Sequence, residues 1–425
     1  MSTWRKIPFV ALYGYLFFLA IELLGRGMKA SFAETVRAFL EVHGDRFTEL
    51  VSFVMGILGT ALLQSSSSVT SMSVVLVQEG IMPLVIAAGI VHGANLGTSV
   101  TSSFVAFASE APPLTGRPLR DLRSLLTAPR GDGFRRAVGT AVVHDMFNIV
   151  MVTLILLVLE LPFGVVLHTS DVLAGWLAGW LAGSDVLLDV ISVVSPSTWT
   201  RPISEGLLGV GVPGWVLLLA GVPLLFTALR GFSARMRDLL LADVDPKDAE
   251  SVGARMLGTN PFDTFLRGLV VTILVQSSSA TTSMVVPLAA MGLFQVRAIF
   301  PFILGANIGT TTTALLAASG GLGQPGFHEG MTIAVAHLLL NTLAVVLAVG
   351  IPGLQGRILA AAGWLADRAE AWPAALLVYL CVLVLVVPAL AYFLPTAAAA
   401  VLIGALLLVL LVGPAVAEAR EARTQ

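Results

Sequence analysis

QSSSSVTSM, from Gln64 to Met72, returns 212 residues later as QSSSATTSM, from Gln276 to Met284, with seven of nine positions identical. A second polar motif follows each copy: GANLGTSVT from Gly93 and GANIGTTTT from Gly305. The separations Gln64 to Asn95 and Gln276 to Asn307 are both 31 residues. Two separated motifs held in one register mark an internal duplication. The clusters carry no lysine or arginine and stand inside very apolar sequence. Polar interruptions at matching places in two hydrophobic halves point to the substrate site of a secondary transporter.

The composition fits a membrane chain. Of 425 residues, 56% are apolar and 12% charged, and mean hydropathy is +0.91. A typical globular chain carries about 25% charged residues. The runs Ile7 to Leu24, Ala137 to Glu160, Pro213 to Leu229, Ala374 to Leu394 and Thr396 to Val412 come to or near the ~20 residues that cross a bilayer. The sequence therefore predicts an all-α polytopic protein of the cell inner (plasma) membrane. The first run lacks a small-residue cleavage site and reads as a retained helix. The formal net charge of −2 indicates no partner, and no basic patch suggests nucleic acid. Cys381 is the only cysteine, which excludes an intrachain disulfide and a cysteine-based metal site.

Five segments follow. Residues 1–45 hold the first transmembrane helix, about Ile7 to Leu24, and the start of an interfacial helix over 26–49. Repeat 1 covers 46–160. Its apolar arms, Leu50 to Leu63 and Val69 to Val77, are each too short to span, so 50–80 reads as a re-entrant hairpin with the serines at its tip. A span broken at Gly93–Gly97 covers 83–108, a polar loop 109–136 and a full span 137–160. An external connection with Trp176, Trp180 and Trp199 as interfacial anchors, a linking span at 211–229 and a charged cytoplasmic linker fill 161–262. Repeat 2, 263–350, repeats the hairpin (263–294), the broken span (297–318) and its partner (331–350). Two more helices, 374–394 and 396–413, lie in the C-terminal segment 351–425.

Charge sets the orientation. Loop 109–136 carries six arginines, and its counterpart 319–330 carries no arginine or lysine. Equivalent loops with opposite basic content belong on opposite sides, so the repeats read as inverted, with both termini cytoplasmic.

Serine and threonine hydroxyls donate once and accept twice, and glutamine does both. Such a cluster can donate to an anion and accept from a hard cation. A helix N-terminus at a hairpin tip adds unpaired amides that attract anions. Asn95 and Asn307 sit beside glycines that permit unwound backbone, and Thr98, Thr101, Thr310 and Thr313 follow at one-turn spacing. A co-bound cation would offset an anion's charge at membrane depth, which is a physical reason for coupling the two. His144 with Asn148, and His337 with Asn341, share helix faces and read as interhelical hydrogen bonds. Asp145 is a functional candidate because intramembrane carboxylates are costly; Leu338 stands at its counterpart. His92 reads as packing near the site.

The paired QSSS motifs, the GAN-[LI]-GT segments and FRRAVGTAVVHDMFN from Phe134 resemble the type II sodium-coupled phosphate cotransporter family, with the plain architecture of a bacterial member. The resemblance covers roughly 46–160 and 260–350. It implies Na⁺-driven uptake of inorganic phosphate by alternating access. Phosphate would lie between the two hairpins, at Gln64, Ser65, Ser66, Ser67, Gln276, Ser277, Ser278 and Ser279. Sodium would lie beside Gln64, Ser68, Asn95, Thr98, Gln276, Thr281, Thr282, Asn307 and Thr310, as co-transported ion and not as a prosthetic group. The chain lacks the cysteines that bridge the external loop of animal members. Another oxyanion (arsenate or sulfate), export, and a non-transporting phosphate sensor stay open as alternatives. So does the oligomeric state, with a homodimer among the readings. An intramembrane hydrolase fits poorly, because no Gly-x-Ser-x-Gly elbow is present and the serines form a run.

Overall fold

A computed structural model describes residues 7–43, 49–63, 65–108, 118–182, 196–240, 257–258, 260–406 and 408–409. Among them no residue lies in a β-strand. Five helices among the described residues contain stretches long and apolar enough to cross a membrane: Ala11–Ser31, Asp132–Phe163, Val296–Ser319, Phe327–Gly350 and Ala374–Phe393.

The duplication in sequence is a duplication of elements. After α1 (Ile7–His43), repeat 1 runs through α2 (Glu49–Leu63), α3 (Ser66–Gln78), α4 (Leu84–Gly97), α5 (Ser99–Ala108), α6 (Pro118–Thr127) and α7 (Asp132–Phe163). A π turn over Leu156–Glu160 lies within α7. Helices α8 (Val165–Ala182), α9 (Pro196–Gly209) and α10 (Gly214–Leu240) lead to repeat 2. That repeat holds α11 (Pro261–Val275), α12 (Ser278–Ala290), α13 (Val296–Ser319) and α14 (Phe327–Gly350). Helices α15 (Leu354–Ala371), α16 (Ala374–Phe393) and α17 (Thr396–Leu406) follow. Both α2 and α11 have 15 residues, and both α3 and α12 have 13. Fifteen residues rise about 22 Å, short of the ~30 Å hydrocarbon layer.

Glycine sets how these helices meet. A Cβ on Gly93 would overlap the Phe53 carbonyl, and one on Gly56 would overlap that of Ile90, so α2 and α4 touch backbone to backbone. Repeat 2 does the same with Gly305 on Phe265 and Gly268 on Phe302, between α11 and α13. Small residues at such contacts are the usual means of close helix packing in membranes. The second arm of each hairpin crosses to the other half. Helix α3 packs on α13 and α14, while α12 packs on α5 and α7.

Four sequence expectations need correction. The second broken span is unbroken: α13 is one helix of 24 residues through Gly305, Asn307 and Gly309. Its glycines serve close approach, and Asn307 and Thr310 hydrogen-bond back to Ile303 O and Ala306 O on their own helix. In repeat 1 only Thr98 separates α4 from α5, with φ −61° and ψ −27° still in the right-handed helical region. The transmembrane helix and the interfacial helix at the N-terminus are one helix, because α1 continues to His43 along α10, where Gly27 meets the Gly214 carbonyl and Leu24 packs on Gly221. The connection 161–210 contains α8 and α9, with Trp176, Trp180 and Trp199 exposed on them. The sequence reading contains no counterpart of α15. Its stripe of Leu354, Ile358, Ala361, Leu365 and Ala369 is buried, and the helix packs on α7.

Candidate functional site

Each hairpin turns at its QSSS motif in the same way. Ser65 is extended (φ −157°, ψ 99°) and its Oγ accepts from Ser68 N (3.2 Å), capping α3. Ser277 is extended likewise (φ −158°, ψ 109°) and its Oγ accepts from Ala280 N (3.2 Å), capping α12. The local reason is the serine: a short hydroxyl side chain can replace the missing helical acceptor at an N-terminus. Gln276 ends α11 in the left-handed region at φ 57°, the only positive φ outside glycine among the described residues. Its side chain is anchored, with Oε1 accepting from Thr313 Oγ1 (2.8 Å) and Nε2 donating to Thr312 Oγ1 (3.0 Å). Gln64 lies outside the described residues.

The two tips meet. Ser67 Oγ donates to the backbone oxygen of Gln276 (3.0 Å). Ser66, Ser67, Ser278 and Ser279 are buried there, and Ser68 Oγ lies 2.8 Å from Ser65 Oγ. The histidine–asparagine motifs also cross between repeats, and they do so reciprocally. His144 of α7 donates through Nε2 to Asn307 Oδ1 (3.2 Å), and His337 of α14 donates through Nε2 to Asn95 Oδ1 (3.4 Å). Asn341 Nδ2 shares that Asn95 oxygen (3.4 Å), and Asn148 Nδ2 donates to Asn95 O (3.1 Å). Asp145 is buried and accepts from Ser103 Oγ (3.1 Å) and Tyr379 OH (3.4 Å). The motifs that sequence holds 31 residues apart thus gather at one interface between the halves.

Some expected ligands turn elsewhere. Thr98 and Thr310 donate to the carbonyls of Ala94 (3.0 Å) and Ala306 (2.9 Å), and Thr281 donates to Ser277 O (2.9 Å). Their hydroxyls keep only acceptor capacity. Thr282 is buried with no hydrogen bond to its hydroxyl. Sequence reasoning missed two matched pairs of the same kind. Thr60 and Thr272, and Ser71 and Ser283, hold buried hydroxyls without hydrogen-bond partners at the 212-residue offset. A buried polar atom without a partner is costly. Its repetition in both halves makes an accident a poor explanation. Searching the apolar arms at that offset would have found them.

The family model described as Na⁺/Pi-cotransporter matches residues 16–116 and 241–365, more than half of the chain. Sodium-dependent phosphate transport protein 2A of Mus musculus is 27% identical over 406 residues, covering 80% of this chain and 60% of the relative. Sodium-dependent phosphate transport protein 2B of Bos taurus is 26% identical over 470 residues, covering 90% and 64%. The human 2B protein is 24% identical over 426 residues, covering 81% and 59%. The chain thus spans about 60% of the length of these relatives. No solved structure matches. With both QSSS motifs and both GAN motifs inside the matched residues, the chain belongs to the Na⁺/Pi-cotransporter family, a family of transporters and not of enzymes.

Proposed function

We propose that this chain takes up inorganic phosphate together with Na⁺ by alternating access, with the phosphate held between two opposed re-entrant hairpins. The observation that carries the proposal is the meeting of the tips at Ser67 and Gln276, at an interface that also joins His144 to Asn307 and His337 to Asn95. Two helix N-termini, those of α3 and α12, converge there. Each carries about half a positive charge, and no basic side chain lies in either motif. An oxyanion between them relieves that repulsion and receives the serine hydroxyls as donors. Ser65, Ser66, Ser67, Ser277, Ser278 and Ser279 take this role, with Gln64 and Gln276 beside them.

Sodium requires oxygen. Because α13 stays helical, its carbonyls are engaged, and side chains must supply more of the ligands. Asn95, Asn307, Thr98, Thr310, Ser68, Thr281 and Thr282 offer acceptor oxygens, and the partnerless hydroxyls of Thr60, Thr272, Ser71 and Ser283 add to them. Each bound cation improves the site for the anion, and the reverse holds equally, which couples the two.

The short arms support re-entrance. The directions of α3 and α12 support inversion of the repeats. From the shared centre α3 runs outward to the 319–330 loop, where Gln78 Nε2 donates to Ala318 O (2.8 Å). Helix α12 runs outward to the arginine-rich end, where the Arg136 guanidinium donates to Ala289 O (3.2 Å) and Ala290 O (3.1 Å). Residues 46–160 and 263–350 are then the two inverted halves.

The test is labelled phosphate uptake into proteoliposomes with and without an inward Na⁺ gradient. Uptake should require the gradient and be inhibited more by unlabelled phosphate than by arsenate or sulfate. Gradient-independent uptake would remove the coupling, and stronger inhibition by another oxyanion would replace the substrate.

A further inference from the structure

A second polar cluster lies in repeat 1, away from the hairpin tips. His92 of α4 is fully buried, and neither ring nitrogen makes a hydrogen bond. Its Nδ1 stands 3.5 Å from Glu49 Oε1 at the start of α2, an oxygen that also lacks a hydrogen bond. Glu160, 2% exposed in the π turn of α7, lies within electrostatic reach of both. Its carboxylate also accepts from Val166 N (2.6 Å) and Leu167 N (3.0 Å), which ties it to the start of α8. From α14, His337 lies within electrostatic reach of His92 while its Nε2 holds Asn95. Glu329 of α14 keeps a buried Oε2 without a hydrogen bond and His168 stands on α8, while the remaining ionisable groups on neighbouring helices are engaged elsewhere. His144 faces Asn307, Asp145 faces Ser103 and Tyr379, and His328, next to Glu329 in the first turn of α14, pairs with Asp171. Helices α3 and α5 carry no titratable residue.

Repeat 2 is an internal control. Leu304 stands at the position of His92 and Pro261 at that of Glu49. Gly305 still packs on the Phe265 carbonyl as Gly93 packs on that of Phe53. The packing therefore needs no ionisable group at this place. An imidazole and two carboxylates buried together are expensive unless a bound charge balances them. Glutamate–histidine chains inside membranes commonly carry protons.

We propose that Glu49 and His92 bind a proton between them, with the Glu160 carboxyl beside them, and that this proton opposes Na⁺ at Asn95. The Glu49 side chain is 13% exposed and gives the cluster its contact with water. A proton reaching His92 leaves Nδ1–H to donate to Glu49 Oε1, closing the 3.5 Å gap. Asn95 lies one helical turn further along α4, so the added charge stands beside it. By linkage, sodium then lowers proton affinity by the same factor. The second half rests on reading Asn95 as a sodium ligand; the first half does not.

Two measurements separate those halves. The first is infrared difference spectroscopy of the purified protein between pH 8 and pH 6, without substrate. Imidazole ring and carboxylate bands should change on acidification in the wild type and be altered in His92→Leu, in Glu49→Gln or in both. Identical difference spectra in wild type and both variants would overturn the proton site. So would a band that sodium shifts and pH does not, which would make the ligand a metal cation. The second is sodium activation of phosphate uptake at the two pH values. In wild type the Na⁺ concentration for half-maximal uptake should rise by about fivefold or more on acidification, and His92→Leu or Glu49→Gln should flatten that dependence. Equal pH dependence in wild type and both variants would overturn the opposition to sodium. A chain that takes up no phosphate at all would refute the transport reading, while the infrared result would still decide the proton site.

Discussion

At the scale of single residues, the tip serines do two things, and the structure separates them. Ser65 and Ser277 cap helices, whereas Ser66 and Ser278 are buried at the first helical position with no capping duty. Ser66→Ala or Ser278→Ala should therefore spare folding and weaken phosphate. A hydrogen bond to a charged group contributes about 1.5–3 kcal/mol, so the phosphate concentration for half-maximal uptake should rise roughly 10- to 100-fold. Normal phosphate dependence in both variants would remove these serines from the site. Ser67→Ala breaks the tip-to-tip bond and should lower the maximal rate as well as affinity. The motifs themselves were legible in the sequence because a repeated register cannot arise from composition. Their pairing was not. His144 and Asn148 share a face of one helix, yet the ring of His144 bonds Asn307, 163 residues away. A spacing rule within one helix carries no information on the neighbour across the interface.

At the scale of elements, glycine decides the contact of each hairpin with its own half. Gly305→Ala places a methyl on the Phe265 carbonyl and forces α11 and α13 apart. Overpacking of that kind costs about 1–3 kcal/mol, so the thermal midpoint of the solubilised protein should fall by several degrees. Gly93→Ala should do the same in repeat 1. A Cβ on Gly363 in α15 would meet no other part of the fold within 4 Å, and Gly363→Ala should hold or raise the midpoint through helix propensity. Equal effects at Gly305 and Gly363 would show that the close approach does not matter. These glycines also explain where the sequence reading went astray. Glycine beside asparagine is compatible with unwound backbone and with close packing, and only the facing carbonyl distinguishes the two. Helix α15 escaped for another reason. Arg357, Asp367, Arg368 and Glu370 keep it from reading as a span, and its buried face becomes visible only against α7, where Asp367 pairs with Arg135 (2.5 Å).

At the scale of the whole molecule, the two halves exchange their inner arms, and their outer ends differ in charge. The end at which α12 terminates holds Arg130, Arg135 and Arg136 of the 109–136 segment. Arg130 stacks between the rings of Phe107 and Phe134, and Arg135 bridges to Asp367 and Glu370 of α15. The end at which α3 terminates is the 319–330 loop, which has no lysine or arginine of its own. Lys29, Arg26 and Arg201 approach that loop from α1 and α9, but they stand among Glu79, Glu22 and Glu205 in a cavity of about 380 Å³. The positive-inside rule counts lysines and arginines in short loops, and on that count we expect the two ends on opposite sides, with the arginine-rich end cytoplasmic. The prediction is made on a Cys381→Ser background, because Cys381 is exposed and would itself react. In cells expressing the protein, a membrane-impermeant thiol reagent added outside should label a cysteine replacing Ser319 and leave one replacing Ser124 unlabelled until the membrane is permeabilised. Labelling of both from outside would place the two ends on one side and end the inverted reading. The reverse pattern would keep the inversion and turn the whole molecule over, so that the Glu49–His92 cluster, at the α3 end, would face the cytoplasm.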